Sequence, residues 1–167
     1  MYYETIMDKF SASLHNGAIR FGKYPTDEEV ALLKKNGYLI FIDLCPADEI
    51  TWTPYSREGI YYNSFPIADR TPNVGDLAVF REFIRRLVEL LIHGYLIYVH
   101  CRGGHGRSGM FSGVLYGKIT GLDGQTVLRD VYNAHQLRTE IKPQFRKMGA
   151  PQTAAQKRFV INELTRI

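Results

Sequence analysis

Apolar residues fall in two patterns along this chain. Short apolar or aromatic runs lie at Ala18–Phe21, Tyr38–Leu44, Gly59–Phe65 and Tyr95–His100, and the second and fourth are almost unbroken, as in strands buried on both faces. Between them apolar positions recur at three and four residues. Phe80, Phe83, Ile84, Leu87, Val88 and Leu91 form one long amphipathic stretch from Asp76 to a stop at His93-Gly94, which predicts a helix that anchors the sheet. An earlier helix is marked by its ends. Thr26-Asp-Glu-Glu29 is a capping box ahead of Val30, Leu32 and Leu33, and Asn36-Gly37 suits a left-handed terminus. Further helices are predicted over Gly109–Ile119, over Thr126–Leu137, and from Gly149-Ala-Pro-Gln152 to about Leu164. Residues 1–16 show no period and read as an N-terminal arm lying over the domain. Pro66–Asn73 is a loop bracketed by prolines. Strands separated by helices imply an α/β fold: a single domain over residues 1–167, with a central, mostly parallel β-sheet flanked by helices on both faces.

Composition narrows this picture. The 167 residues are 45% hydrophobic and 23% charged, ordinary for one soluble domain with a sizeable core. No stretch approaches the length of about eighteen apolar residues that a membrane span needs. The first residues lack the basic-then-apolar pattern of a signal peptide, so a cytoplasmic protein is expected. Two cysteines, Cys45 and Cys101, are too few for a disulfide framework and suit a reducing compartment. No metal or other cofactor is implied. Lys and Arg number 21 against 17 Asp and Glu, for a net charge of +4. That mild positive field either favours anionic substrates or serves solubility alone. No basic run is long enough for a nucleic-acid arm, and neither a protein partner nor an oligomeric state is read from the chain.

Chemistry concentrates in Tyr98-Val-His-Cys-Arg-Gly-Gly-His-Gly-Arg-Ser-Gly109. The apolar strand delivers Cys101 to a turn whose five residues before Arg107 include Gly103, Gly104 and Gly106. Glycines at that density let backbone N–H groups point inward at the start of a helix, a site for a phosphate-sized anion. Arg107 supplies a planar fork for two phosphate oxygens. The same donors favour negative sulfur, so Cys101 is expected as a thiolate. A nucleophile then lies beneath a bound phosphate.

His100, Cys101, Arg107, Ser108 and Gly109 reproduce the His-Cys-five residues-Arg-Ser/Thr-Gly signature, and from near Gly22 to Phe159 the chain resembles the cysteine-dependent protein tyrosine phosphatase superfamily. The resemblance implies that fold and a phosphocysteine intermediate at Cys101. Asp69, in Pro66-Ile-Ala-Asp69, resembles the movable-loop general acid of the dual-specificity branch; the Trp-Pro-Asp form is absent. Asp76 is the rival, but its place before an apolar helix suits a cap. Gln152-Thr-Ala-Ala-Gln156 resembles the water-positioning glutamine loop of the tyrosine-specific branch, and an amide can donate and accept at once. Ser108 would donate to the sulfur as it leaves the phosphoenzyme, and His100 would order the loop. Arg102 and His105 occupy positions where related lipid phosphatases carry lysines. They either add cations for a polyanionic substrate or brace the loop. Cys45, in Ile42-Asp-Leu-Cys45, resembles a second cysteine that traps the oxidised nucleophile as a disulfide; otherwise it is a small apolar residue at a strand end. No Asn-Arg-Tyr substrate loop, which would set a deep phosphotyrosine cleft, is present.

The expected function is that of a phosphoprotein phosphatase, tyrosine or dual-specificity. Phosphoinositides, inositol phosphates or an RNA 5′ end are alternative substrates by the same mechanism, nucleic acid entering only in that way. A phosphate-recognising module with little turnover is the alternative from another class.

Overall fold

The computed structural model describes residues 6–165. Five strands, β1 (Ser11–Leu14), β2 (Ile19–Gly22), β3 (Tyr38–Asp43), β4 (Tyr61–Ser64) and β5 (Leu96–His100), form one sheet in the order β1-β2-β5-β3-β4. Only the β1–β2 pair is antiparallel; β2–β5, β3–β5 and β3–β4 run parallel. Among the described residues six α-helices accompany them: α1 (Asp27–Lys35), α2 (Leu77–Ile92), α3 (Gly106–Thr120), α4 (Gly124–Gln136), α5 (Pro143–Met148) and α6 (Ala154–Leu164). The α/β class and mostly parallel sheet are as predicted.

Helix ends follow the local chemistry. Thr26 and Glu29 close their reciprocal capping box on α1, and the Asp76 carboxylate accepts from Ala78 and Val79 N–H at the start of α2, which gives Asp76 the capping role. α3 begins at Gly106, three residues before the predicted Gly109, because Arg107 and Ser108 lie in its first turn. Two of these strands and α-helices were not predicted. Ser11–Leu14 of the expected N-terminal arm is strand β1, and α5 is a six-residue helix opened by Pro143. The arm's residues 1–5 lie outside the described residues.

The core joins sheet and helices at an aromatic cluster. Phe65, just past β4, stacks on Phe83 of α2 and meets Phe80 and Phe111 edge-on or tilted, while Phe80 meets Phe159 of α6. Phe80 and Phe111 are fully buried; each such side chain stabilises the fold by roughly 1.5–3 kcal/mol. β5 is paired on both sides, so its C-terminal end, where Cys101 emerges, is held by two neighbours.

Candidate active site

His100 is fully buried at the end of β5. Its Nδ1 faces the Cys101 carbonyl at 3.2 Å and the Asp43 carboxylate at 3.8 Å, both acceptors. Nδ1 therefore carries the proton, and Nε2 accepts from the Tyr55 hydroxyl at 2.7 Å. Burial pushes this imidazole down to about 4. It is a neutral brace beside the nucleophile, not a base.

Cys101 is 3% exposed. The Gly104 N–H donates to its Sγ at 3.3 Å, and Ser108 Oγ lies 3.5 Å away. Gly104 is held to glycine twice over. Its φ is +82°, and a Cβ there would stand 2.2 Å from the Gly22 carbonyl carbon. Arg107, 2% exposed, gives both terminal nitrogens to Glu49, at 2.7 and 2.8 Å, and one also to the Ile67 carbonyl at 3.0 Å. The bidentate guanidinium holds the Glu49 carboxyl below the usual carboxylate range. Nε of Arg107 makes no hydrogen bond among the described residues, although Asp69 Oδ1 stands 3.5 Å from it. The two terminal nitrogens are thus fixed by Glu49 and Ile67, and Nε is left with Asp69.

That cleft has a volume of about 270 Å³ and is lined by Cys101, Arg102, Gly103, His105, Gly106 and Arg107 on the loop, with Asp69, Arg70, Phe145 and Gln152 around them. The structure thus brings Asp69 and Gln152 together with the cysteine loop. Gln156 lies just behind. Its Oε1 accepts from Gln152 and Thr153 N–H at 3.1 Å, closing a capping box on α6, and its buried Nε2 has no hydrogen-bond partner among the described residues. Both amides press on Gly106, where a Cβ would come within 2.7 Å of Gln152 Oε1 and 3.0 Å of Gln156 Nε2.

Arg102 and His105 divide. Arg102 is exposed, with its guanidinium 5.1 Å from the Trp52 ring centre. His105 is 6% exposed, stacked on Phe145 at 4.6 Å, and pushed down to about 3 by burial, with Arg138 and His135 adding to it. It lines the cleft as a neutral brace, so of the two expected cations only Arg102 carries charge. Cys45 is a buried free thiol. Burial, and after it the neighbouring Cys101 and Asp43, push its titration well up.

Sequence reasoning passed over two side chains that shape the site. Glu49 drew no expectation, although a carboxylate in the segment after β3, at the end of the sheet that carries Cys101, was a usable signal. Arg138, whose Nη1 donates to the Gly103 and Gly104 carbonyls, had none.

A scan against protein-family models finds no match. Two viral proteins are similar in sequence. "Putative tyrosine phosphatase 197R" of Invertebrate iridescent virus 6 is 34% identical over 128 residues, 74% of this chain and 47% of that protein. "Putative tyrosine phosphatase 067L" of Invertebrate iridescent virus 3 is 32% identical over 142 residues, 84% of this chain and 59% of that protein. The chain therefore spans about half the length of these relatives. It belongs to the cysteine-dependent protein tyrosine phosphatase superfamily. The crystal structure of Tk-PTP in its active form shares the fold, with a TM-score of 0.74 over 94% of this chain and 98% of that one at 23% identity.

Proposed function

We propose that this chain hydrolyses phosphate monoesters through a phosphocysteine at Cys101, with phosphorylated proteins as its substrates. The observation that carries this reading is the meeting, in one cleft, of Cys101, whose Sγ accepts from the Gly104 amide, with Arg107 and Asp69. Sulfur attacks phosphorus as the bond to the leaving oxygen breaks. The loop N–H groups and Arg107 meet the charge on the three remaining oxygens. Asp69 gives its proton to the departing oxygen. A water oriented by Gln152 and Gln156 then gives its proton to the Asp69 carboxylate and attacks phosphorus. The S–P bond breaks, Ser108 donates to the sulfur, and inorganic phosphate leaves.

A second reading has its own support. Arg102 is exposed at the cleft and has no carboxylate within ion-pair distance among the described residues, its contact being the Trp52 ring. A cation there, with Glu49 acting on it only at a distance, suits substrates with a further anionic group: phosphoinositides, inositol phosphates or an RNA 5′ end. Phosphopeptides, these lipids and 5′-triphosphate RNA, compared side by side, separate the two.

The deciding experiment is product release from a small aryl phosphate by wild type and Cys101→Ser, in chelator and reductant. Turnover is expected to vanish in the variant while tungstate binding persists. Turnover that survives the substitution overturns the mechanism. A wild type that binds tungstate and releases nothing is instead the phosphate-recognising module.

A further inference from the structure

Arg138 comes just after α4 and is 3% exposed. Its Nη1 donates to the carbonyls of Gly103 at 3.2 Å and Gly104 at 2.9 Å, and lies 3.4 Å from His105 Nδ1. Its backbone is held in turn by Arg146 of α5, which donates to the Arg138 carbonyl at 2.7 Å and to that of Gln136 at 2.6 Å.

The geometry has a direct consequence for the nucleophile. The Gly103 carbonyl and the Gly104 N–H belong to one trans peptide plane, so they point in opposite directions. A cation that draws the carbonyl down aims the N–H up, and that N–H is the one 3.3 Å from Cys101 Sγ. The Gly104 carbonyl and the His105 N–H are related in the same way.

Charge adds to direction. Among the described residues no carboxylate lies within ion-pair distance of Arg138, and its Nε has no hydrogen-bond partner. Burial pulls its titration down, while the neighbouring Tyr98 and Cys101 oppose this. The two imidazoles beside it bring no charge. Arg138 can only donate, so His105 Nδ1 is an acceptor, and it also accepts a hydrogen bond from His135 Nε2–H at 2.8 Å. A buried cation with no carboxylate at ion-pair distance thus backs the loop; Glu29 acts on it from further off and Arg146 opposes it, while Cys101 lies across the loop peptides.

We infer that Arg138 is a positioning residue of the reaction, one that turns the Gly103 and Gly104 peptides so that their N–H groups face the nucleophile and the phosphoryl oxygens, and whose charge favours anions there. This rests on the reading of Cys101 as a nucleophile under phosphate.

The test uses Arg138→Met and Arg138→Lys in the full chain, reading iodoacetamide alkylation of the Cys101 peptide at pH 6 by mass spectrometry and tungstate affinity by calorimetry. Loss of a nearby opposite charge should slow alkylation by about tenfold in Arg138→Met and weaken tungstate by a similar factor. A merely loosened loop would uncover Cys101 and speed alkylation, so the sign separates positioning from structure. Arg138→Lys keeps the charge and loses the planar fork; alkylation within about twofold of wild type with several-fold weaker tungstate binding is expected. Arg138→Met that alkylates and binds like wild type overturns the inference. If Arg138→Met does not fold, Arg138→Lys decides alone: the expected split supports the role, and any other result overturns it. Neither readout needs turnover. A wild type that hydrolyses nothing would therefore sink the phosphatase reading and leave the Arg138 comparison to stand or fall by itself.

Discussion

A departing alkoxide must be protonated as its bond to phosphorus stretches, whereas a good aryl leaving group tolerates departure as an anion. Asp69 is the carboxylate lining the cleft, and its 60% side-chain exposure leaves it room to reach a leaving oxygen above Cys101. Asp69→Ala should slow hydrolysis of an alkyl phosphate by about 100-fold or more, within the usual range for a general acid. Hydrolysis of an activated aryl phosphate should slow far less. Steady-state rates on the two substrates check this, and equal slowing would remove Asp69 from the acid role. This residue was legible because its loop is marked by prolines and ends a strand, and Cys101, Arg107 and Ser108 because they share one short turn. Glu49 and Arg138 were not. They act on the loop across sequence separations of 58 and 35, and nothing local distinguishes Arg138 among 21 Lys and Arg.

At the level of elements, the site depends on how closely α3, α4 and α6 approach, since α3 begins with Gly106 and Arg107 and α6 carries Gln156. Gly113 of α3 faces Val127 and Val131 of α4 and Val160 of α6. Gly124, at the first turn of α4, is tighter: a Cβ there would lie 2.8 Å from the Ile161 Cα. That neighbour is backbone and cannot swing aside, so Gly124→Ala must push α4 from α6. Overpacking of this kind costs about 1–3 kcal/mol, which exceeds the gain of up to about 1 kcal/mol that alanine brings to a helix interior and brings less fully at a first turn. A fall of about 3–10 °C in Tm is expected for a chain of this size; thermal unfolding that is unchanged or raised would show that the helices have slack. The elements missed from sequence have physical reasons. In β1, Ser11 accepts from the buried Arg20 at 2.9 Å, so a sheet face with polar partners reads as a polar arm. In α5, six residues with none fully buried leave no period to detect.

Across the whole molecule, the neutral buried histidines set an acid limit. Burial pushes His100 and His135 down to about 4 and His105 to about 3, while an unfolded histidine titrates near about 6.5. The folded values lie below the unfolded one, so between them the unfolded chain binds more protons. The stabilisation is complete above roughly pH 7, erodes as pH falls through about 6.5, and goes on eroding until the folded values are reached. Near pH 5 unfolding would take up close to ~3 protons, a loss of about 4 kcal/mol per pH unit. Summed over the three histidines the loss reaches about 9 kcal/mol by pH 4, comparable to a total stability of about 5–15 kcal/mol, so stability should fall steeply between about pH 6.5 and 4. The Glu49 carboxyl, held low by Arg107, adds loss of the same sign only below its unfolded value of about 4.3. It therefore does not set the first part of the slope. Urea unfolding in steps from pH 7.5 to 5 reads this directly, and an uptake below one proton near pH 5 would contradict neutral histidines in the fold. Acid titration and loop positioning meet at Arg138. Charging His105 or His135 places a second cation against a guanidinium with no carboxylate at ion-pair distance, so the region beneath the Cys101 loop should open first, and amide exchange at Gly103–Gly106 should rise at a higher pH than exchange in β3.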